Sequence, residues 1–220
     1  VEYFTAIGER VDFRLEDGSL LQLNTNSAVS VRMEKSRRLL TLKRGEAFFD
    51  IAPNADRPLT VQTTGGMVRV LGTRFNIRQT GSGSVVSVIE GLVAVTTQVE
   101  ADSTANRDFK PDVTLSANQQ TVLIKDQTIS RAVDIESDTV LAWQQGKLIY
   151  EGNTLAEVVE DLNRYFPGTI RLDNPSLADL EIVGVLNLGN RTATLAALEA
   201  TFGVQVVQVS ENLTLIQVKD

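Results

Sequence analysis

The side chains able to do chemistry in this chain are carboxylates, lysines, tyrosines and hydroxyls, because histidine and cysteine are both absent. Without imidazole or thiolate, the commonest general base, the usual nucleophile triads and most transition-metal sites are out of reach. The lack of cysteine also removes any disulfide framework and fits every compartment. Acid pairs are what is left. Glu46 with Asp50, or Glu90 with Glu100, have the residue types of a glycosidase. That chemistry depends on the distance between the two carboxylates in space, which sequence spacing does not give. Gly45-Glu46 and Glu90-Gly91 read better as turn corners. Gly81-Ser82-Gly83-Ser84 has the composition of a phosphate loop, but no helical pattern follows it, so it reads as a hairpin turn. Direct iron ligation lacks a donor set. The sequence therefore predicts no catalytic residue, no metal site and no cofactor. It predicts a binding module.

The elements carrying these residues change character along the chain. From residue 1 to about 130, short alternating apolar runs are punctuated by turn residues. Val11, Phe13 and Leu15 alternate up to Asp17-Gly18, which predicts a type I′ hairpin returning through Leu21 and Leu23. Val29–Met33, Leu40–Leu42, Gly45–Ile51, Leu59–Thr63, Met67–Val70, Phe75–Ile77, Val86–Val88 and Leu92–Val95 continue the series, with a turn at Glu34–Arg37. The polar stretch Glu100–Asp112 reads as a long surface loop. Strands then resume at Val113–Leu115, Val122–Ile124 and Thr128–Ala132. This predicts an all-β module over 1–138, either an antiparallel sandwich or a short solenoid.

Beyond an acidic stretch at Asp134, Glu136 and Asp138 the period changes from two to 3.6. Trp143, the single tryptophan, reads as a packing anchor in preference to a ligand platform. Lys147–Tyr150 is a strand. Thr154-Leu155-Ala156-Glu157 is a capping box, and Leu155, Val158, Val159, Leu162 and Phe166 fall on one helix face before Pro167-Gly168. Glu157, Glu160, Asp161 and Arg164 occupy the polar face. The phrase recurs forty residues on: Thr194-Leu195-Ala196 repeats Thr154-Leu155-Ala156. A strand Ile182–Leu188 lies before the second helix, and Val204–Val209 and Leu213–Val218 follow it. This predicts a C-terminal α/β sandwich over 139–220 built from a repeated β-α-β unit, and an α+β chain of two modules.

Composition sets the class of partner. A net charge of -7 and a pI near 4.8 argue against nucleic acid. The densest basic group, Lys35, Arg37, Arg38, Lys43 and Arg44, reads as the solvent side of a hairpin. No apolar run is long enough to span a bilayer, and no signal-peptide pattern is present. The chain starts at Val1 with strand-like alternation almost at once, so it reads as a fragment of a longer protein cut at a domain edge.

Particular phrases carry a family resemblance: Gly8-Glu9-Arg10, Leu15-Glu16-Asp17-Gly18-Ser19, Arg44-Gly45-Glu46-Ala47-Phe48-Phe49, Val70–Ile77, Val88-Ile89-Glu90-Gly91, Trp143, Gly146-Lys147-Leu148 and Leu155–Tyr165. Together they resemble the periplasmic part of FecR-type anti-sigma regulators. The end of the chain, with Val183-Gly184 and the second helix, resembles the short N-terminal domain shared by secretins and TonB-dependent receptors. The resemblance implies a periplasmic sensor in a single-pass inner-membrane protein. Its implied partners are the periplasmic signalling domain of an outer-membrane TonB-dependent siderophore receptor and a periplasmic protease. Regulated proteolysis would relay an iron-uptake signal to an extracytoplasmic-function sigma factor. The cytoplasmic sigma-binding segment and membrane helix of that family have no counterpart here, so sigma binding is not carried over.

Two docking routes follow for the C-terminal module. A partner strand could add to an edge at Val204–Val209 or Leu213–Val218, through Val204, Val206, Leu213 and Leu215. Alternatively a partner could dock on the first helix, through Leu155, Val158, Val159, Leu162 and Tyr165, with Tyr165 as the hot spot. The rival reading, a carbohydrate or cell-wall binding domain, would need clustered exposed aromatics in a chain only 5% aromatic.

Overall fold

The computed structural model describes residues 1–98, 109–125 and 128–219. The loop expected at Glu100–Asp112 falls mostly outside them. The chain divides into two compact units, Val1–Val140 and Leu141–Asp220.

Among the described residues of the N-terminal unit the alternating runs form fourteen strands in two seven-stranded sheets. One sheet contains β1 (Glu2–Phe4), β4 (Ala28–Met33), β5 (Arg38–Arg44), β7 (Leu59–Thr63), β8 (Gly66–Val70), β11 (Leu92–Thr96) and β12 (Val113–Ser116), in that spatial order. The other runs β14 (Val133–Asp134), β13 (Gln119–Ile124), β10 (Gly83–Glu90), β9 (Arg74–Gln79), β6 (Glu46–Asp50), β3 (Leu20–Leu23) and β2 (Val11–Arg14). The chain feeds the two sheets in turn, mostly a hairpin at a time. Leu21, Leu23, Phe49, Phe75 and Ile77 from one sheet meet Val29, Leu40, Leu42, Val61 and Val68 from the other in a single buried cluster. Each such side chain contributes about 1.5–3 kcal/mol by leaving water. Phe49 and Phe75, directly opposed on β6 and β9, stack with centroids 4.9 Å apart.

The expected corners lie where the chain changes sheets. Gly45, between β5 and β6, has φ +81°, and a Cβ there would lie 2.2 Å from Ser27 Oγ. Gly91, between β10 and β11, has φ +88°. Only glycine takes such a corner without strain.

Several expectations are corrected. β5 and β7 pair in parallel, because the chain visits the other sheet as β6 before returning. The Asp17-Gly18 turn is not type I′. Among the described residues only Asn26 and Asn118 are non-glycines with positive φ, so Gly18 alone (φ +88°) is left-handed in this turn. Gly18 N–H donates to Leu15 and Leu15 N–H to Ser19, giving a three-residue loop that ends on a left-handed glycine. The strand expected at Thr128–Ala132 reduces to one bridge, Ile129 to Leu123, followed by the two-residue β14.

Nor is the basic group wholly on the solvent side. Arg38 is buried to 1% exposure. Its Nη1 donates to Asp17 Oδ2 (2.7 Å) and to the Ala52 carbonyl (2.9 Å), and its Nε to the Arg57 carbonyl (2.8 Å). Burial raises the pKa of Asp17, but hydrogen bonds from Arg38 and Ser19, with the charge of Arg38, outweigh it and hold the carboxyl below its ordinary value. A depressed folded pKa contributes stability above the unfolded value, lost as pH falls through the folded one. Thermal unfolding should therefore show wild-type protein losing stability below about pH 4, with a shallower dependence in Asp17→Asn.

The C-terminal unit begins at the last residue of a five-residue helix, α1 (Ser137–Leu141), and opens with a 3₁₀ turn over Ala142–Gln145. Its elements are β15 (Lys147–Thr154), α2 (Leu155–Tyr165), β16 (Thr169–Leu172), β17 (Glu181–Asn187), α3 (Arg191–Phe202), β18 (Val204–Ser210) and β19 (Leu213–Val218). The repeat is present in element order, but the two strands flanking each helix enter different sheets. β15 and β17 form an antiparallel pair, while β16, β19 and β18 form a second sheet in that order, with β16 parallel to β19. The capping box is formed: Glu157 N–H donates to Thr154 Oγ1, and Thr154 N–H to Glu157 Oε2 at 2.8 Å. In the second copy the cap moves. Asn190 Oδ1 accepts from Ala193 N–H, and Thr194 sits buried inside α3, with its hydroxyl donating to the Asn187 and Asn190 carbonyls.

Candidate partner-binding surface

Glu46 and Asp50 do not assemble a catalytic pair. Glu46 and Asp50 open and close the same strand, about 13 Å apart at the rise of an extended chain, beyond glycosidase spacing. Glu46 is buried and accepts from the side-chain amides of Asn24 (2.8 Å) and Asn76 (2.9 Å). Asp50 lies 3.7 Å from Arg74, which also reaches Glu90 at 3.6 Å. Glu100 lies outside the described residues. Among the described residues no group of three potential metal ligands converges. Trp143 is buried at 4% and offers no open platform. Among the described residues Phe4 is the one aromatic in the group of exposed large apolar side chains, and no cluster of exposed aromatics forms there.

Of the two docking routes, the helix face is closed. Leu155, Val158 and Leu162 are fully buried, and Val159, Tyr165 and Phe166 nearly so. The stripe of α2 packs on β15, β16 and β17 and forms the core of its own unit. Tyr165 cannot serve as an exposed hot spot. Asp161, expected on the solvated face, is also buried, with Tyr150 Oη 3.4 Å from one carboxylate oxygen and Arg164 3.4 Å from the other. Strong amphipathicity made α2 legible as a helix, and the same property buried it.

The strand route is half closed. β19, which carries Leu213 and Leu215, is the central strand of its sheet, paired with β16 on one side and β18 on the other. Its backbone is satisfied on both sides, so no strand can add there. β18 is an edge. It reads Val204-Gln205-Val206-Val207-Gln208-Val209-Ser210: seven residues, β-branched at four, with no charge and no proline. Natural edges are usually blunted by lysine, proline, short length or a bulge. Here the bulge falls only at the far end, between Gln208 and Ser210. Val204 is buried, Val206 and Val207 are half-buried, and Val209 is 55% exposed. By contrast β16, the opposite edge, has four residues with Arg171 exposed.

A second apolar surface escaped the sequence reading. Val183 and Val185 on β17 are 63% and 52% exposed, and Ile149 stands opposite Val185 on β15. Both flank Gly184, and the alternation in Ile182–Leu186 marks them as the outward residues of a two-stranded sheet. That alternation was the available signal.

Residues 1–94 match the family described as FecR protein. Two solved structures from Parabacteroides distasonis ATCC 8503, each described as a candidate anti-sigma factor, share the whole architecture. One, at 1.65 Å resolution, is 25% identical with a TM-score of 0.81, covering 100% of both chains. The other, at 2.50 Å, is 25% identical with a TM-score of 0.79, covering 100% of this chain and 99% of its own. No curated protein matches the chain. The resemblance to FecR-type anti-sigma regulators read from the sequence is borne out.

Proposed function

From that FecR-type relationship, we propose that this chain is the periplasmic sensor part of an anti-sigma regulator, with its C-terminal unit receiving the signal by strand addition. The sender is the periplasmic signalling domain of an outer-membrane TonB-dependent siderophore receptor. Its binding leads to regulated proteolysis and release of an extracytoplasmic-function sigma factor. The observation that carries the reading is β18, an uncharged seven-residue edge in a unit whose α2 stripe is spent on its own core. An extended segment laid along such an edge gains main-chain hydrogen bonds, while alternate side chains supply specificity. The role is non-catalytic, in keeping with a FecR-type regulator.

The C-terminal unit corresponds in this reading to the short N-terminal domain of secretins and TonB-dependent receptors. Among the described residues no helix is long and apolar enough to cross a membrane. Periplasmic placement rests on the family relationship. Calorimetric titration of the whole chain with the periplasmic signalling domain of a TonB-dependent siderophore receptor should give a one-to-one complex. No heat and no complex at millimolar concentration would count against the receptor as partner.

A further inference from the structure

The edge of β18 is not bare. Val206 N–H donates to Glu199 Oε1 of α3 at 3.3 Å. Val206 lies opposite Ile216 on β19, and its N–H points to α3's carboxylate instead of into the ladder. In an antiparallel pair residues alternate between bonding their neighbour and facing away. Val206 and Gln208 therefore direct their N–H and C=O groups to the open side, while Val207 bonds β19. A carboxylate oxygen stands where the carbonyl of an added strand would stand.

The flank of α3 beyond Glu199 carries small, exposed side chains. At 100° per residue, Glu199 borders the buried line of Leu195 and Leu198, and Ala196 and Ala200 follow on its outer side. Both alanines are exposed. Glu199 is half-buried and is the longest side chain at this margin. Among the described residues it is also the charged group that bonds an amide of β18, in a strand with no charge and no proline of its own.

We propose that Glu199 is a latch on a strand-acceptor edge: its carboxylate caps the outward Val206 amide in the free protein, and the incoming partner strand displaces it. The occupant is an extended segment of the receptor's signalling domain, which presents a main-chain carbonyl to Val206. This rests on the receptor reading above. The latch explains how an uncharged edge is kept from pairing indiscriminately. A wrong strand must break the Glu199–Val206 hydrogen bond without gaining matched side-chain packing.

The test uses the whole chain as wild type, Glu199→Ala and Glu199→Gln, with two readouts. The first is the exchange rate of the Val206 amide in the free protein by NMR. The second is calorimetric affinity for the signalling domain. Glu199→Ala should speed Val206 exchange about tenfold and tighten binding roughly three- to tenfold, the scale of one hydrogen bond. Glu199→Gln keeps an acceptor oxygen and should stay within about twofold of wild type on both. Unchanged exchange in Glu199→Ala, or Gln behaving as Ala, overturns the latch, the latter by showing a general charge effect. If the wild-type chain forms no complex, the receptor reading fails, and the exchange readout alone still decides the latch.

Discussion

Arg38→Ala is expected to cost the N-terminal unit about 3–5 kcal/mol, the range seen when one partner of a buried ion pair is removed. The size follows from what the guanidinium leaves behind. Asp17, almost as buried as Arg38 (side chains 9% and 1% exposed), loses its cation. The carbonyls of Ala52 and Arg57 lose their donors at the same time. A neutral partner softens the loss: Arg38→Ala with Asp17→Ala together should cost less than the sum of the two single changes, because no carboxylate is then stranded. Differential scanning calorimetry checks this. The transition of the N-terminal unit should fall by roughly 10 °C or more in Arg38→Ala, while the acid-side dependence assigned to Asp17 largely disappears.

Val206→Pro is expected to abolish partner binding with little effect on folding. The substitution deletes an amide that faces away from β19, the one kind of strand position where proline is tolerated. Losing that donor, together with the clash of the ring against an approaching backbone, should weaken the complex at least about thirtyfold, equivalent to roughly 2 kcal/mol. Val207→Pro is the contrast. Its amide belongs to the ladder with β19, so the C-terminal unit itself should lose about 3 kcal/mol. Far-ultraviolet circular dichroism with calorimetric titration separates the two outcomes.

What was legible in the sequence was local. Alternation in Leu21–Leu23, Val29–Met33 and Phe75–Ile77 gave the strands, and the Thr154–Glu157 capping box gave the start of α2. Gly45 and Gly91 were legible as corners because only glycine suits a left-handed turn. Pairing was not legible. Whether Leu213–Val218 is an edge or a centre depends on β16, some forty residues earlier, laying itself parallel to it. The same limit hid the parallel pairing of β5 and β7 and sent the strands of each β-α-β unit to separate sheets.

The candidate site shows the same division. An apolar helix stripe looks alike whether it meets a partner or its own sheet, so Leu155, Val158, Val159, Leu162 and Tyr165 were offered to a partner when they belong to the core. Val204 and Val206 were placed on a true edge, though Val204's side chain is buried. Arg38 was hidden because its ion pair with Asp17 spans 21 positions. Glu199 was missed because nothing in a helix sequence says that one glutamate reaches a strand amide seven residues on.

The central claim, that a receptor's signalling domain adds a strand to β18, is tested most directly by amide exchange along Val204–Ser210 in the complex. Val206 and Gln208, whose amides face away from β19, should slow by at least about tenfold when the signalling domain is bound, with the amide of Val207 changing little. Protection confined to Val183–Val185 on β17, or to the N-terminal unit, with Val206 and Gln208 exchanging at their free rates, would contradict it.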